Sequence, residues 1–373
     1  MNWNRLWNRN RAARRSLVSL GLGFALWLLG TVTPLGSESA LALPQGNAIT
    51  DPNAILRYSL PINNPEVRKL QGAIEDISQQ LRANRRWGAI NGDLSRADRV
   101  LADQHDALIA SVPESKQPQA ESLLAAMKGD LELLHTDAEG KKKEDTLNHR
   151  AALLDRITQL EELMVVDFPY EVPAEYNKLP QLKGRATVEF ATDLGNLTAV
   201  IDGYSAPVTG GNFIDLVQRG FYNGLPFIRA EDFYVLQTGD PEGPAEGFID
   251  PKTKQYRAVP LEILVKGDSA PTYGITLEDA GRYLDQPVLP FNAYGALGMA
   301  RPNDEANGGS SQFFFFLFEP ELTPAGLNLL DGRYSIFGYV TAGQDILREL
   351  KAGDKIRSVK VVKGAENLQS PQA

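Results

Sequence analysis

Arg229 and Gln237 stand eight residues apart in Phe227-Ile-Arg-Ala-Glu-Asp-Phe-Tyr-Val-Leu-Gln-Thr-Gly-Asp-Pro241. This aromatic and apolar stretch reads as strand and ends at a Gly-Asp-Pro turn. A second segment, Ser310-Ser-Gln-Phe-Phe-Phe-Phe-Leu317, sets a polar Ser-Ser-Gln before four Phe, a strand apolar on both faces. A third is Leu330-Asp-Gly-Arg-Tyr-Ser-Ile-Phe-Gly-Tyr-Val340. Arg is a permanently charged donor with a rigid fork, suited to polarising a group by hydrogen bonding. Other routes are closed by inventory. The chain has no Cys, so thiolate nucleophiles, disulfides and Cys zinc sites are excluded. Its three His (His105, His135, His149) lie outside this region, so a Ser–His or His–metal site cannot form within it. Taken alone, an Arg in a strand reads as a surface or ion-paired residue, and a Phe run as core. The ordered set of three segments argues for a site.

The elements that must position these residues follow from periodicity. At 373 residues, the chain has room for two or three domains. Residues 1–42 read as an export signal: Arg9, Arg11, Arg14 and Arg15 precede an apolar run from Leu17 to Val32, then Ser39-Ala-Leu-Ala42 offers a cleavage site. The run is short of the ~20 residues a membrane span needs, so cleavage after Ala42 and no remaining span are expected. Residues 1–42 carry five Arg and one Glu, a net +4, so the remainder carries −13 against −9 for the whole. That acidity disfavours nucleic acid as a partner.

Residues 43–65, with Pro44, Pro52, Pro61 and Pro65, read as an extended leader. From 66 to 166 apolar residues step by three and four: Val67, Leu70, Ile74, Ile77 and Leu81, then Leu94, Ala97, Leu101 and Leu108. Leu124, Met127, Leu131 and Leu134 follow, then Leu147, Ala151, Leu154, Ile157, Leu160 and Met164. Breakers fall between them at Gly88, Gly92, Pro113 and Gly140. Four amphipathic helices with short connections predict an antiparallel bundle. Residues 167–182 form a Pro-rich linker, stiff and aromatic, expected to pack against a neighbour. Beyond it the period becomes alternating, with a hairpin signature at Asp193-Leu-Gly-Asn196, a helix carrying Phe213, Leu216 and Val217, a second helix near 344–350 and a last strand near 355–362.

The three segments, in this order, resemble cyclophilins, the barrel proteins that isomerise X-Pro bonds. The likeness spans 183–368, leaving 369–373 as a tail. It implies an α+β multidomain chain: an N-terminal antiparallel helical bundle, then a closed eight-stranded β-barrel capped by two helices. Arg229 sits at the position of the family's catalytic Arg, and Gln237 at the Gln that bonds substrate backbone. Tyr234 stands where a pocket Phe is usual, Val235 where Met is usual, and Phe314 at the second pocket Phe. Met299 and Ala300 match the groove-lining strand, and Arg301 replaces an Asn whose backbone pairs with substrate. Leu329 replaces a Trp and Tyr334 a His, while Leu330 continues the rim. No cofactor or metal is implied.

The longer stretch between Glu242 and Ala296, with Pro244-Ala-Glu-Gly-Phe-Ile-Asp-Pro251, Pro260-Leu-Glu-Ile263 and Pro287-Val-Leu-Pro-Phe-Asn292, resembles the multidomain cyclophilins of the thylakoid lumen. Those are assembly factors for photosystem II, and in them the bundle is thought to dock on the barrel and regulate access. A bacterial-style signal without a transit peptide points to a cyanobacterial version, exported to lumen or periplasm. Two readings stay open. One is a peptidyl-prolyl cis-trans isomerase acting on proline-containing segments of clients such as photosystem II subunits. The other is a catalytically weak chaperone or proline-segment binder regulated by its helical domain, favoured by Leu329 and Tyr334.

Overall fold

The computed structural model describes residues 49–82, 86–317 and 329–371. The export signal expected at 1–42 lies outside the described residues. The first helix is α1 (Pro52–Ser59), started by Asp51, whose carboxylate accepts the Asn53 N–H at 2.9 Å, and by Pro52 in the first turn. The expectation that 43–65 is extended is therefore corrected over these residues. The Pro taken as a mark of extended chain is the residue that starts the helix.

α2 (Pro65–Arg82), α3 (Trp87–Asp103), α4 (His105–Ala110), α5 (Gln117–Glu139) and α6 (Lys143–Met164) follow. α2, α3, α5 and α6 pack as a ring of four neighbours, α2 on α3 and α6, α5 on α3 and α6. Their stripes meet in one core that includes Leu70, Ile74, Ile90, Leu94, Met127, Leu131, Leu154 and Ile157. The stripe running from Leu94 to Leu108 spans two helices, with the break at Gln104. Each His in this unit lies beside a carboxylate: His105 on Glu121, His135 on Asp98 and His149 on Asp137.

The second half holds twelve described strands and two helices. In chain order they are β1 (Gln181–Leu182), β2 (Arg185–Thr192), β3 (Asn196–Asp202), α7 (Pro207–Gln218), β4 (Arg229–Glu231), β5 (Val235–Thr238), β6 (Glu262–Ile263) and β7 (Thr272–Tyr273). β8 (Ala296–Met299), β9 (Phe313–Phe316), β10 (Ile336–Ala342), α8 (Gln344–Glu349), β11 (Ile356–Lys363) and β12 (Leu368–Gln369) complete it. Eight strands form one antiparallel sheet in the order β11-β2-β3-β10-β8-β9-β5-β4.

The expected closed barrel is not what forms. The sheet curls, but β11 and β4 are its edges. Across that seam runs an isolated bridge, Pro226 to Lys355, with backbone hydrogen bonds between 224–227 and 353–356. β4 is three residues long and is preceded by Pro226, which has no N–H to offer a ladder. The inner face packs Phe190, Leu197, Ile201, Leu236, Leu297, Phe313, Phe315 and Phe337 against Phe213 of α7.

The outer face carries a second cluster, with Val235, Ala296, Phe314, Phe316, Ile336 and Tyr339 joined by Ile55 and Leu56 of α1. The helical unit thus meets the sheet through α1. Polar contacts fix the junction. Asp202, at the end of β3, accepts Ser59 Oγ at 2.7 Å and Arg185 Nη2 at 2.9 Å, and Arg185 also donates to the Leu56 carbonyl. On the other side of α1, Arg57 pairs with Glu75 at 2.9 Å. The aromatic linker lies along the sheet unit: Tyr170 donates to the Tyr204 carbonyl at 2.8 Å, and Tyr176 packs on Tyr273.

Candidate active site

Antiparallel register decides which side chains meet on the outer face. β4 and β5 set Arg229 opposite Gln237, β5 and β9 set Gln237 opposite Phe314, and β9 and β8 set Phe314 opposite Gly298. One row therefore crosses four strands as Arg229, Gln237, Phe314 and Gly298. Directly opposed residues share a face, so all four present to one side.

Arg229 is 48% exposed, and its guanidinium is already engaged. Nη2 lies 2.6 Å and Nε 2.7 Å from Glu231 Oε1, and the fork sits 5.9 Å from the Tyr234 ring. Glu231 is two residues along the same strand, hence on the same face. Gln237 donates Nε2 to Gln312 Oε1 at 2.7 Å. Gln312 in turn donates to Asp240 Oδ1 and to the Glu246 carbonyl at 3.0 and 2.9 Å. Its amide orientation is thereby fixed, and with it that of Gln237.

Phe314 is the floor. Its ring takes the Tyr334 ring edge-on at 5.5 Å and stacks on Phe291 at 5.9 Å, 9° from parallel. Gly298 is what lets the ring lie flat. A Cβ there would come within 2.5 Å of the Phe314 ring tip. Phe291 is held by its N–H, donated to Asp331 Oδ1 at 2.7 Å. Burial pushes the Asp331 carboxyl up to about 6, against the pull of that hydrogen bond. Val235, Leu330, Ala300 and Tyr334 pack around the same cluster. Tyr234 is 38% exposed and meets Phe316 edge-on at 6.2 Å.

Met299 and Leu329 do not join the cluster, and Arg301 lies at its edge. Met299 points inward, into the inner-face core beside Gly309 and Val259, because side chains alternate and Gly298 and Ala300 take the outer positions. Leu329 is 85% exposed and outside the cluster, with Leu330 turned in instead. Arg301 packs over Tyr334 at 5.2 Å and donates to the Arg333 carbonyl at 2.7 and 3.0 Å, so it braces the loop carrying Tyr334. Burial lowers its guanidinium from the ordinary value.

Three residues of this face escaped the sequence reading: Glu231, Gly298 and Phe291. For Glu231 the signal was present, an acid two positions from Arg229 on one strand. A glycine inside a strand likewise marks close approach, which is what Gly298 provides. Phe291 left no such trace. The helical unit meets this face at its β10 flank through α1, while Arg229 and Tyr234 stay open to solvent. A bundle that covers the groove is therefore not the arrangement seen. Among the described residues, no cluster of His and carboxylates could hold a metal ion.

Comparison with known proteins agrees with both halves. Residues 51–165 match the family described as peptidyl-prolyl cis-trans isomerase CYP38-like, PsbQ-like domain. Residues 187–366 match the cyclophilin type peptidyl-prolyl cis-trans isomerase/CLD family. A Synechocystis protein provisionally named a thylakoid lumen peptidyl-prolyl cis-trans isomerase is 58% identical over 362 residues, 96% of this chain and 95% of that protein. The chloroplastic peptidyl-prolyl cis-trans isomerase CYP38 of Arabidopsis thaliana is 44% identical over 88% of this chain and 77% of its own length. CYP37 of the same plant, also chloroplastic, is 32% identical over 90% and 74%. The chain belongs to the cyclophilin-type peptidyl-prolyl cis-trans isomerases, and carries the PsbQ-like helical domain of their CYP38-like members.

Proposed function

We propose that this chain rotates X-Pro bonds of client proteins in the thylakoid lumen, and that photosystem II subunits are among those clients. The observation that carries the reading is the row Arg229, Gln237, Phe314 and Gly298 on one face. The location and clients rest on the likeness to the Synechocystis and Arabidopsis proteins. The barrier to X-Pro rotation, about 18–20 kcal/mol, reflects partial double-bond character of the C–N bond. Twisting the amide localises a lone pair on the prolyl nitrogen. A donor aimed at that nitrogen stabilises the twisted form more than the planar one.

In this account Arg229 is that donor. Gln237 holds the neighbouring peptide group, and the prolyl ring lies against Phe314 beside Val235 and Leu330. Each ~1.4 kcal/mol of preferential stabilisation is worth tenfold in rate. The Glu231 carboxylate must yield part of the guanidinium. A half-exposed pair of this kind is worth about 0–1 kcal/mol, so the exchange costs little.

A second reading, a proline-segment binder with little turnover, is favoured by the same Arg229–Glu231 contact together with the outward Leu329. A protease-coupled proline-peptide assay on the chain from residue 43 separates the two. Catalysed isomerisation supports the first reading. Proline-dependent binding without rate enhancement supports the second.

A further inference from the structure

The turn joining β4 to β5 holds a residue that the reaction described above does not use. Phe233 has φ 59°, in the left-handed region. L-residues avoid it because Cβ crowds the following carbonyl, at a cost of roughly 1–2 kcal/mol, and bulky side chains are rare there. Only three non-glycine residues with positive φ occur among the described ones, Lys141, Phe233 and Lys254, and Phe233 is the apolar one. Its ring is also 65% exposed. An exposed phenyl gains little from burial, so neither packing nor propensity accounts for Phe at this position.

The backbone around it is fixed. Tyr234 N–H donates to the Glu231 carbonyl at 3.0 Å, and Leu317 N–H donates to the Tyr234 carbonyl at 2.8 Å. The turn therefore presents the Phe233 ring from a set position. That position adjoins the site: Tyr234 follows directly, its ring 5.9 Å from the Arg229 guanidinium and edge-on to Phe316 of the outer cluster. Strain kept beside reacting groups points to a role in what the site binds.

We propose that Phe233 is a specificity-determining residue, whose exposed ring takes an apolar or aromatic side chain flanking the proline of the bound segment. The inference rests on the groove reading above and deepens it by naming a substrate feature. Phe233 lies four positions from Gln237, at most roughly 13 Å along extended chain, a span that one Cα step of about 3.8 Å plus two facing phenyl side chains can bridge. An aromatic partner there covers both rings at once. Glu231 and Asp232 on the same tip make it a poor seat for an acidic flank.

The test titrates one proline peptide, with Phe or Ala placed before or after the proline, into the chain from residue 43 and into Phe233→Gly. At one of the two flanks the unaltered protein is expected to prefer Phe over Ala by roughly three- to ten-fold, the size of one aromatic contact. In Phe233→Gly the preference should fall to near one, with the Ala-flanked affinity unchanged. Phe233→Asn, which also tolerates the left-handed backbone, should behave the same way. The same preference in all three proteins overturns the proposal. So does loss of Ala-flanked affinity along with the preference in both variants, since Phe233 would then only shape the turn. Replacing the proline itself by Ala tests the groove reading separately. If that change leaves the affinity of the unaltered protein intact, the groove does not read proline, and the proposal falls with it.

Discussion

The Arg229 guanidinium rests on Glu231, its neighbour two positions along β4, with Nη2 2.6 Å and Nε 2.7 Å from one carboxylate oxygen. The donor proposed for the twisted amide is thus oriented by an acid on the same strand face, and partly neutralised by it. Orientation helps catalysis and neutralisation opposes it. Both partners are about half exposed, so the ion pair itself is weak.

Glu231→Gln keeps a hydrogen-bond acceptor for orientation but removes the negative charge. We expect kcat/KM for a proline peptide to rise by roughly two- to five-fold, since a gain below ~1 kcal/mol corresponds to less than tenfold. Steady-state kinetics of the two proteins side by side would check this. A fall in kcat/KM with an intact fold would mean that the carboxylate itself takes part in holding the substrate.

Gly298→Ala should damage the floor of the groove. The new Cβ would stand 2.5 Å from the Phe314 ring, which is itself confined by Phe291 and Tyr334. Overpacking of this kind costs about 1–3 kcal/mol. The expected result is a lower melting temperature together with weaker proline-peptide binding. A variant that binds and melts like the parent would show that the Phe314 ring has another place to go.

Much of the fold was legible in the sequence, and the reasons are local. The stripes from Val67 to Met164 have the period of helices and pack as a bundle core. The Asp193-Leu-Gly-Asn196 turn does join β2 to β3. Arg229 and Gln237 stood out by their spacing and by the resemblance, but the stretch read as one strand is the hairpin β4–β5, whose register sets the two residues opposite each other. What failed depends on geometry that a linear pattern does not carry. Met299 and Gly298 differ by one position in strand parity, and that parity is set by the partner strand. The open seam between β11 and β4 follows from the shortness of β4 and from Pro226, while the family resemblance implied closure. Asp331 reaching back to Phe291 links residues forty apart, with no motif to announce it.

Acidification should stabilise the chain. Three buried carboxyls have folded-state values above their ordinary ones, chiefly because burial disfavours the charged form: Glu161 at about 8, Glu262 at about 7 and Asp331 at about 6. At Glu161, burial outweighs the pull of Arg68, whose Nη1 lies 3.0 Å away. Between the ordinary value, 4.5 for Glu161, and the raised one, the folded chain holds a proton that the unfolded chain releases. Stability therefore falls as pH rises through that window, by up to about 1.4 kcal/mol per pH unit for each such group. Thermal melts at stepped pH should show the melting temperature rising from pH 8 toward 5.5, and Glu161→Gln should flatten the upper part of that slope. A melting temperature that climbs with pH over this range would run against the assignment.

The role of Arg229 is tested by the isomerisation rate of a proline peptide with Arg229→Ala against the unaltered chain. Arg229 is exposed and has no part in either core, so the variant should melt at the same temperature. If its guanidinium stabilises the twisted amide, kcat/KM should drop by about 10²-fold or more, the usual cost of losing a charge-stabilising donor. Equal rates in the two folded proteins would contradict the account and remove Arg229 from the mechanism.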